Sequence, residues 1–506
     1  MNEKQPYLTK SRYIDGLRCS RKLWLGCYER LPYDDPEPFS ILDVGNQIGI
    51  KAHLLFPEGV LVEKKAYEHE EAVETTQQLI SDTSILAIFE AAFEYENVRI
   101  RVDVLERLTD GTWGLREVKS SKSVDPKKGH YDDVAVQLHV VEGSGLSVSS
   151  VELIHVDGEY VRDTGEMDWL SFFHRVDLTD AARKRLSDVR NKLSPMQAVL
   201  AEEEVPEVLV SRSLCTQPYR CDYIDRCIAG KPDDWVGYLP RIGKNLGLLH
   251  SQGIESVRDI PESFELPSPL ASIRNTILSD QVRVEDGLST ALAAFGPPAY
   301  YLDFETINPG IPFYTHTSPY ERVAFQWSLH LIDEDGTLSH QEFLANGKDD
   351  PRREVAETLI KAVSISGIPI VSWSKSTEAG ILQKLGERYE DLEEELAAIR
   401  ERVIDLHPVV SEYVVHPGFF GRRSLDSSPF SIKNVLPVLV EGEDYKNLGG
   451  VASGLDASLD FVRIINGVFN QQEEQVLREG LLKYCKQDTR ALVDVQVALA
   501  ALGKTR

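Results

Sequence analysis

From Val98 to Val104 the chain alternates strictly, Val-Arg-Ile-Arg-Val-Asp-Val, the period-two pattern of a strand with one buried face. Phe93-Glu-Tyr95 before it and Leu115-Arg-Glu-Val-Lys119 after it read as neighbouring strands, the second reached through the turn Thr109-Asp110-Gly111-Thr112. Helical spacing surrounds them. Residues 7–30 predict a helix with Leu17, Leu23, Trp24 and Leu25 on one side and Arg21 and Lys22 on the other. Residues 41–57, which carry His53, and residues 70–92 predict two more. Val134 to Val141 reads as helix and Val151 to Val156 as strand, and helices then lead to a cysteine triplet. Residues 228–295 form a bridge. Within it, Leu239-Pro-Arg-Ile-Gly243, Leu249, Gly253-Ile254 and Asp259-Ile260-Pro261 fit either a small helix–hairpin that touches DNA backbone through turn amides or a plain helical linker. Gly296-Pro297-Pro298 marks the next boundary. Beyond it come a strand from Ala299 to Phe304, strands near 323–332 and 369–373, a charged helix at about 386–402 and a final helix at roughly 472–502. No internal repeat or low-complexity tract interrupts the pattern.

The length of 506 residues predicts about three domains. A hydrophobic content of 42% is ample for sizeable cores. The net charge of −26 argues against a general coat for polyanions, yet it leaves room for an enzyme with a local basic groove. Local basic clusters exist at Lys119, Lys122, Lys127 and Lys128, at Arg212, Arg220 and Arg226, and at Arg422, Arg423 and Lys433, each either a solvated face or a phosphate track. The N-terminus has no apolar signal-peptide core, and no apolar run reaches the roughly 18 residues of a membrane span. Six cysteines are too sparse for a disulfide scaffold, so a reducing, cytoplasmic setting without membrane attachment is expected, where clustered cysteines bind metal.

Phosphodiester cleavage at neutral pH calls for a metal ion, and hard cations call for oxygen ligands. Asp103 at the end of one strand and Glu117 on the next suit a shared Mg²⁺ or Mn²⁺ ion. Lys119, two residues past Glu117, points to the same side and would orient water and offset developing negative charge. The bland alternative is a half-exposed strand with an ion pair. Val102-Asp103, Glu117-Val118-Lys119-Ser120-Ser121 and Gln137 resemble the RecB-type branch of the PD-(D/E)XK nucleases. The resemblance implies a restriction-endonuclease-like fold, a metal site completed by His53 of Gly49-x(3)-His53, and a substrate-binding Gln-x(3)-Tyr helix. Gln137 matches that last motif, whereas its tyrosine position is Val141.

Cys215-x(5)-Cys221-x(5)-Cys227 lacks the C-x(2)-C pairs of a zinc ribbon, and Cys19 stands alone near the N-terminus. The segment Cys19-Ser-Arg-Lys-Leu-Trp24 resembles that of iron–sulfur RecB-type nucleases, including the CRISPR-adaptation exonucleases. These place one cysteine before the nuclease core and three after it. The resemblance implies a 4Fe–4S cluster on Cys19, Cys215, Cys221 and Cys227 that staples the domain ends together, though the spacing here is wider than usual there. Cys27 and Cys485 read as plain core residues.

Asp303 and Glu305 alternate on one strand and face the same side, where they repel unless cations lie between them. Tyr484 and Asp488 share one face of the last helix. Glu378 follows the strand from Ile368 to Trp373, and Asp405 is its rival as a further carboxylate. The order Asp-x-Glu, acid, Tyr-x(3)-Asp resembles the DEDDy branch of the DnaQ-like 3′–5′ exonucleases, whose fold is RNase H-like and whose third acid is usually Asp. It implies metal ligation by Asp303, Glu305, Glu378 and Asp488, with Tyr484 orienting water. Arg422, Arg423, Ser424, Ser431 and Lys433 would grip phosphates or form a surface loop.

Taken whole, the chain is similar to a bacterial family that fuses the two modules. The expected architecture is α/β: an iron–sulfur PD-(D/E)XK domain over 1–228, a helical linker over 229–296 and an RNase H-like exonuclease domain over 297–506. The expected function is metal-dependent cleavage of DNA in repair, recombination or defence, with a helicase or another repair or defence protein as partner. RNA processing and DNA binding by a degenerate nuclease module are the alternatives.

Overall fold

The computed structural model describes residues 6–32, 35–421, 425–445 and 453–504. It is a mixed α/β structure that divides into two compact units, residues 1–223 with 309–321, and residues 224–308 with 322–506.

The first unit runs β1 (Leu8–Thr9), α1 (Lys10–Arg18), α2 (Ser20–Tyr28), α3 (Ile41–Ala52), β2 (Val60–Leu61), α4 (His69–Ser81), β3 (Ala87–Tyr95), β4 (Val98–Arg107), β5 (Trp113–Lys119), α5 (His130–Gly143), β6 (Val148–Val156), β7 (Phe173–Asp177), α6 (Thr179–Val199) and α7 (Arg212–Thr216). Its sheet has the order β2-β3-β4-β5-β6-β7, with β1 joined to β4 off that path. Strands β3, β4 and β5 form an antiparallel meander, and α5 crosses over to bring β6 in parallel to β5. The Glu96-Asn97 turn between β3 and β4 has positive φ at both residues, 48° and 59°, as a tight two-residue hairpin requires. One face of the sheet buries Val98, Ile100 and Val102 against Tyr13, Val134, Leu138 and Leu193. The other buries Val104 and Ile154 against Ile48, Ala52 and Phe172. With both faces covered, the strand ends are left to present chemistry.

The sheet has one local split. Along one edge of β4, β5 pairs with Val104–Arg107 and β1 pairs with Val98 and Arg99. Neither strand takes the residues between, which include Asp103.

The second unit runs α8 (Ile224–Ile228), α9 (Asn245–Ser251), α10 (Ser268–Ser279), β8 (Arg283–Val284), α11 (Leu288–Leu292), β9 (Ala299–Ile307), β10 (Val323–Ile332), β11 (Leu338–Leu344), α12 (Arg352–Ala362), β12 (Ile370–Ser372), α13 (Lys375–Arg388), α14 (Glu393–Glu401), β13 (Val403–Asp405), α15 (His407–Tyr413), β14 (Val414–Val415), α16 (Ile432–Leu439), α17 (Gly454–Ile465) and α18 (Gln471–Lys504). Its five-stranded sheet has the order β11-β10-β9-β12-β13: three antiparallel strands, then two parallel ones. Helices α12, α13 and α14 pack Val355, Leu359, Ile381, Leu385 and Leu396 against Leu302, Phe304 and Trp327. Residues 229–296 belong to this unit, where β8 pairs with β14 and Gln496 of α18 donates to the Phe295 carbonyl at 3.0 Å.

Three predicted helices are divided differently in the structure. The helix expected over 70–92 ends at Ser81, and β3 starts at Ala87. Asp82 turns the chain by accepting from the Ser84 N–H at 2.9 Å and its hydroxyl at 2.7 Å. The helix expected over 7–30 is two helices, because Cys19 is extended (φ −159°, ψ 119°). The charged helix expected over 386–402 is the end of α13 and all of α14, separated at Tyr389 (φ −121°, ψ 84°). Among the described residues, no helix is long and apolar enough to cross a membrane.

Candidate functional site

The first carboxylate cluster fills the split beside β4. Asp103 Oδ2 accepts the Val118 N–H at 2.7 Å, so a side chain does there what a strand partner would otherwise do. Glu117 is fully buried, and an isolated buried carboxylate is costly. Lys119 Nζ lies 2.6 Å from its Oε1, and Gln137 donates to its Oε2 at 2.6 Å. Two residues that sequence reasoning missed complete the cluster. Asp133, one helical turn before Gln137, accepts from Lys119 at 2.5 Å and from Gln137 at 3.0 Å. Lys10, the first residue of α1, donates to both Glu117 oxygens at 2.8 and 2.9 Å and lies 3.7 Å from Asp103 and 3.9 Å from Asp133. The four-residue spacing to Gln137 was a signal for Asp133; Lys10 had none, because β1 carries it in from far along the chain.

Burial works to raise Glu117, but Lys10 and Lys119 overcome it and hold the carboxyl well below its ordinary range. Asp103 is pushed up to about 7 by burial and by Glu117, against the pull of both lysines. Burial works to lower Lys10 and Lys119, and the surrounding carboxylates hold both above the usual lysine range. The arrangement is an ion-pair network in which two lysines hold three acids in place. His53 lies at the end of α3, with its ring stacked on Phe89 at 3.8 Å between centroids, and burial lowers its pKa.

Of the cysteines, Cys19 sits at the α1–α2 break and Cys215 on α7, with Cys221 a short loop further on. Arg18 ties these segments together: it donates to the carbonyls of Leu214 at 2.9 Å and Tyr219 at 2.7 Å and lies over the Tyr219 ring. The Cys221 N–H donates to the Cys215 carbonyl at 2.7 Å, and Lys22 lies 3.8 Å from Asp222. Cys227 lies in α8 of the second unit.

The second cluster belongs to β9, β12, α13 and α18. Asp303, Glu305 and Cys485 offer donor atoms within 4.8 Å of one another, the one such group of three among the described residues. Cys485, expected as a plain core residue, places its sulfur 3.7 Å from Asp303 Oδ2. Asp488 Oδ1 accepts the Tyr445 hydroxyl at 2.8 Å, and Tyr484 also bonds Asp488. Lys433 Nζ lies 4.9 Å over the Tyr484 ring. Burial and the charges of Asp488, Glu305 and Glu378 raise Asp303 well above the carboxylate range. Burial and Asp488 do the same to Glu305. Asp488 is pushed up to about 6 by burial, opposed by Tyr445, Lys433 and Tyr484.

Glu378 and Asp405 have different surroundings. Asp405 takes the N–H groups of Lys375 at 3.1 Å and His407 at 3.0 Å, the first residues of α13 and α15. Glu378 is buried, bonds Ser372, keeps one oxygen without a hydrogen-bond partner, and is pushed up to about 7, chiefly by burial. Its charge bears on Asp303. Of the phosphate-gripping candidates, Arg422, Arg423 and Ser424 lie outside the described residues, while Ser431 immediately precedes α16, on which Lys433 sits.

Residues 300–424 match the model of a domain of unknown function, DUF2779. That stretch carries Asp303, Glu305, Glu378 and Asp405 and stops before Tyr484 and Asp488. The chain is also similar to Uncharacterized protein UU173 of Ureaplasma parvum serovar 3, 24% identical over 250 residues. The aligned stretch is 45% of this chain and 35% of that protein, so the match spans about a third of the relative's length.

Proposed function

We propose that the chain is a metal-dependent DNA nuclease with two active sites, one built on Asp103, Glu117, Lys119 and Gln137 and one on Asp303, Glu305, Glu378, Tyr484 and Asp488. The observation that carries this reading is the gathering of Asp303, Glu305, Glu378 and Asp488, four acids from three distant parts of the chain, with burial and mutual repulsion raising Asp303 and Glu305. Structural ion pairs would not leave acids so poorly compensated; divalent cations would compensate them. The strand orders support an assignment of the first unit to the PD-(D/E)XK fold and of the second to the RNase H-like fold.

Mg²⁺ or Mn²⁺, when bound, supplies charge neutralisation at the phosphate and activation of water. The donor sets fit it: carboxylate oxygens dominate both clusters, and Glu378 keeps one buried oxygen without a hydrogen-bond partner. In the second cluster Asp303, Glu305, Glu378 and Asp488 would hold the ions, Tyr484 would orient the attacking water beside Asp488, and Lys433 would attract the phosphate chain. In the first, Asp103 and Glu117 would hold the ion, with His53 as a further ligand. Lys119 would orient water and offset charge on the phosphate, and Gln137 fixes Glu117. A 4Fe–4S cluster would be held in the first unit by Cys19, Cys215 and Cys221; Cys227, the fourth ligand expected from the sequence, belongs to the second unit. The Arg18 bonds that join the Cys19 junction to the Cys215–Cys221 loop support this, and four thiolates are the donor set such a cluster takes.

The reading assigns 3′–5′ digestion of single strands to the second site and DNA end processing to the first, in repair, recombination or defence, with a helicase as a fitting partner. The test is cleavage of end-labelled single- and double-stranded DNA, with matched RNA, by anaerobically purified wild type, Asp103→Ala and Asp303→Ala. Separable losses support two working sites. Digestion unchanged in both variants and in the double variant refutes the assignment, and cleavage of RNA alone moves the function to RNA turnover.

A further inference from the structure

The geometry points to Lys10 as a positioning residue of the first cluster: a resident cation that holds Glu117 until a divalent ion displaces it. This rests on the reading of that cluster as a divalent site.

An ion shared by Asp103 and Glu117 needs an oxygen from each. Lys10 Nζ stands among those oxygens, 2.8 and 2.9 Å from the two of Glu117 and 3.7 Å from Asp103 Oδ1. The position is built by the fold. β1 pairs in parallel with the start of β4 and ends at Thr9, whose hydroxyl caps α1 by accepting the Arg12 N–H at 3.2 Å. The first residue of α1 is thereby delivered into the split between β1 and β5. Lys119 reaches the same carboxylates from within β5 and occupies a different role, bridging Glu117 and Asp133 at 2.6 and 2.5 Å.

The charge count gives the consequence. With all three acids ionised, as an ion bound among them would hold them, Asp103, Glu117 and Asp133 bring three negative charges against the two positive charges of Lys10 and Lys119, which leaves one negative. An entering divalent ion makes that sum positive unless an ammonium leaves. Lys119 is held by two strong contacts, whereas Lys10 sits on a flexible stem with Asp133 already 3.9 Å away as an alternative acceptor. Lys10 therefore yields. It keeps the fully buried Glu117 compensated when metal is scarce, and it sets the concentration of metal at which the site fills.

The test measures Mn²⁺ binding to the full chain by electron paramagnetic resonance. An Asp303→Asn, Asp488→Asn background removes ligands of the second cluster. In that background Lys10→Gln keeps an N–H donor for Glu117 and removes the charge, and should tighten Mn²⁺ binding by about tenfold. Lys10→Arg grips both Glu117 oxygens with a rigid fork and should weaken it by a similar factor. A merely structural lysine predicts weaker or unchanged binding in both, and either result in folded Lys10→Gln protein overturns the inference. Should Lys10→Gln not fold, tighter or equal binding by Lys10→Arg overturns it. Glu117→Gln should abolish the binding. If no variant binds Mn²⁺, the reading of the cluster as a divalent site fails, and this inference with it.

Discussion

Replacing Asp303 by asparagine should stabilise the metal-free protein at alkaline pH while abolishing cleavage at the second site. Asp303 is raised well above its ordinary value of 3.8 by burial and by Asp488, Glu305 and Glu378. A raised acid contributes stability that is fully present below the unfolded pKa and is lost as pH rises through the folded pKa. Wild type therefore weakens as pH climbs from about 4, by up to about 1.4 kcal/mol per unit for this one group. Asparagine keeps the shape and has no charge to lose, so its advantage grows across the same window. The size is bounded by repulsion. Asp303 and Glu305 oxygens lie within 4.8 Å, and two charges at that separation in a medium of effective dielectric about 20 repel by roughly 3.5 kcal/mol. The expected gain from pH 5 to pH 8 is thus about 3 kcal/mol, a shift in melting temperature on the order of 5 to 10 °C for a unit of this size. The assay is calorimetry of chelator-treated wild type and Asp303→Asn at both pH values, repeated with saturating Mg²⁺. The ion should stabilise wild type more than the variant and close the gap at pH 8. A variant less stable than wild type at both pH values, or equal Mg²⁺ stabilisation of the two, refutes the idea that these acids are held apart only by protons or cations.

Three further outcomes follow from the same geometry. Glu378→Gln should lower single-strand digestion by about 10²-fold or more, whereas Asp405→Ala should cost about 1–2 kcal/mol in a denaturant melt by uncapping two helices and leave digestion in place; the reverse pattern makes Asp405 the third acid. Cys19→Ser should lose the visible absorbance and bound iron of anaerobically purified protein, and unchanged iron content in that variant removes Cys19 from the ligand set. Asp103→Ala should spare the label pattern produced by the second site, read on the same gels as Asp303→Ala.

Much of the candidate chemistry was legible because it is carried by local spacing. Glu117 and Lys119 share a strand, Asp303 and Glu305 share another, and Tyr484 and Asp488 share a helix face, so each pair could be placed without the fold. Asp103 required only that two strands be neighbours. The misread stretches fail for identifiable reasons. Ala87 to Phe93 is mostly buried on both faces of β3, and a run that is apolar but for Glu90 has no period to distinguish strand from helix. The break at Cys19 involves neither glycine nor proline, and the arginine beside it holds segments some two hundred residues away. Lys10 was invisible for the same reason: its meaning depends on a two-residue strand, Leu8–Thr9, too short to announce itself. Tyr445 likewise reaches Asp488 from a loop that no periodicity marks.

The two clusters handle the same electrostatic problem in opposite ways. The first brings its own cations: two lysines touch three acids, and Gln137 shares one oxygen of Glu117 with Lys10. Its glutamate stays ionised and its geometry is fixed before any ion arrives. The second assembles Asp303, Glu305, Glu378 and Asp488, where the pull of Lys433 on Glu305 and Asp488 is outweighed by burial and, at Asp303 and Glu305, by mutual repulsion. Its acids are left with raised pKa values, so protons or divalent ions must supply what the protein does not. The first site should consequently bind metal weakly and keep its shape without it. The second should bind metal strongly, and more strongly as pH rises, with its stability tied to the ion. An acidic chain with a net charge of −26 can hold both arrangements, because the compensation that matters is local and the exterior charge is screened within about 10 Å at moderate salt.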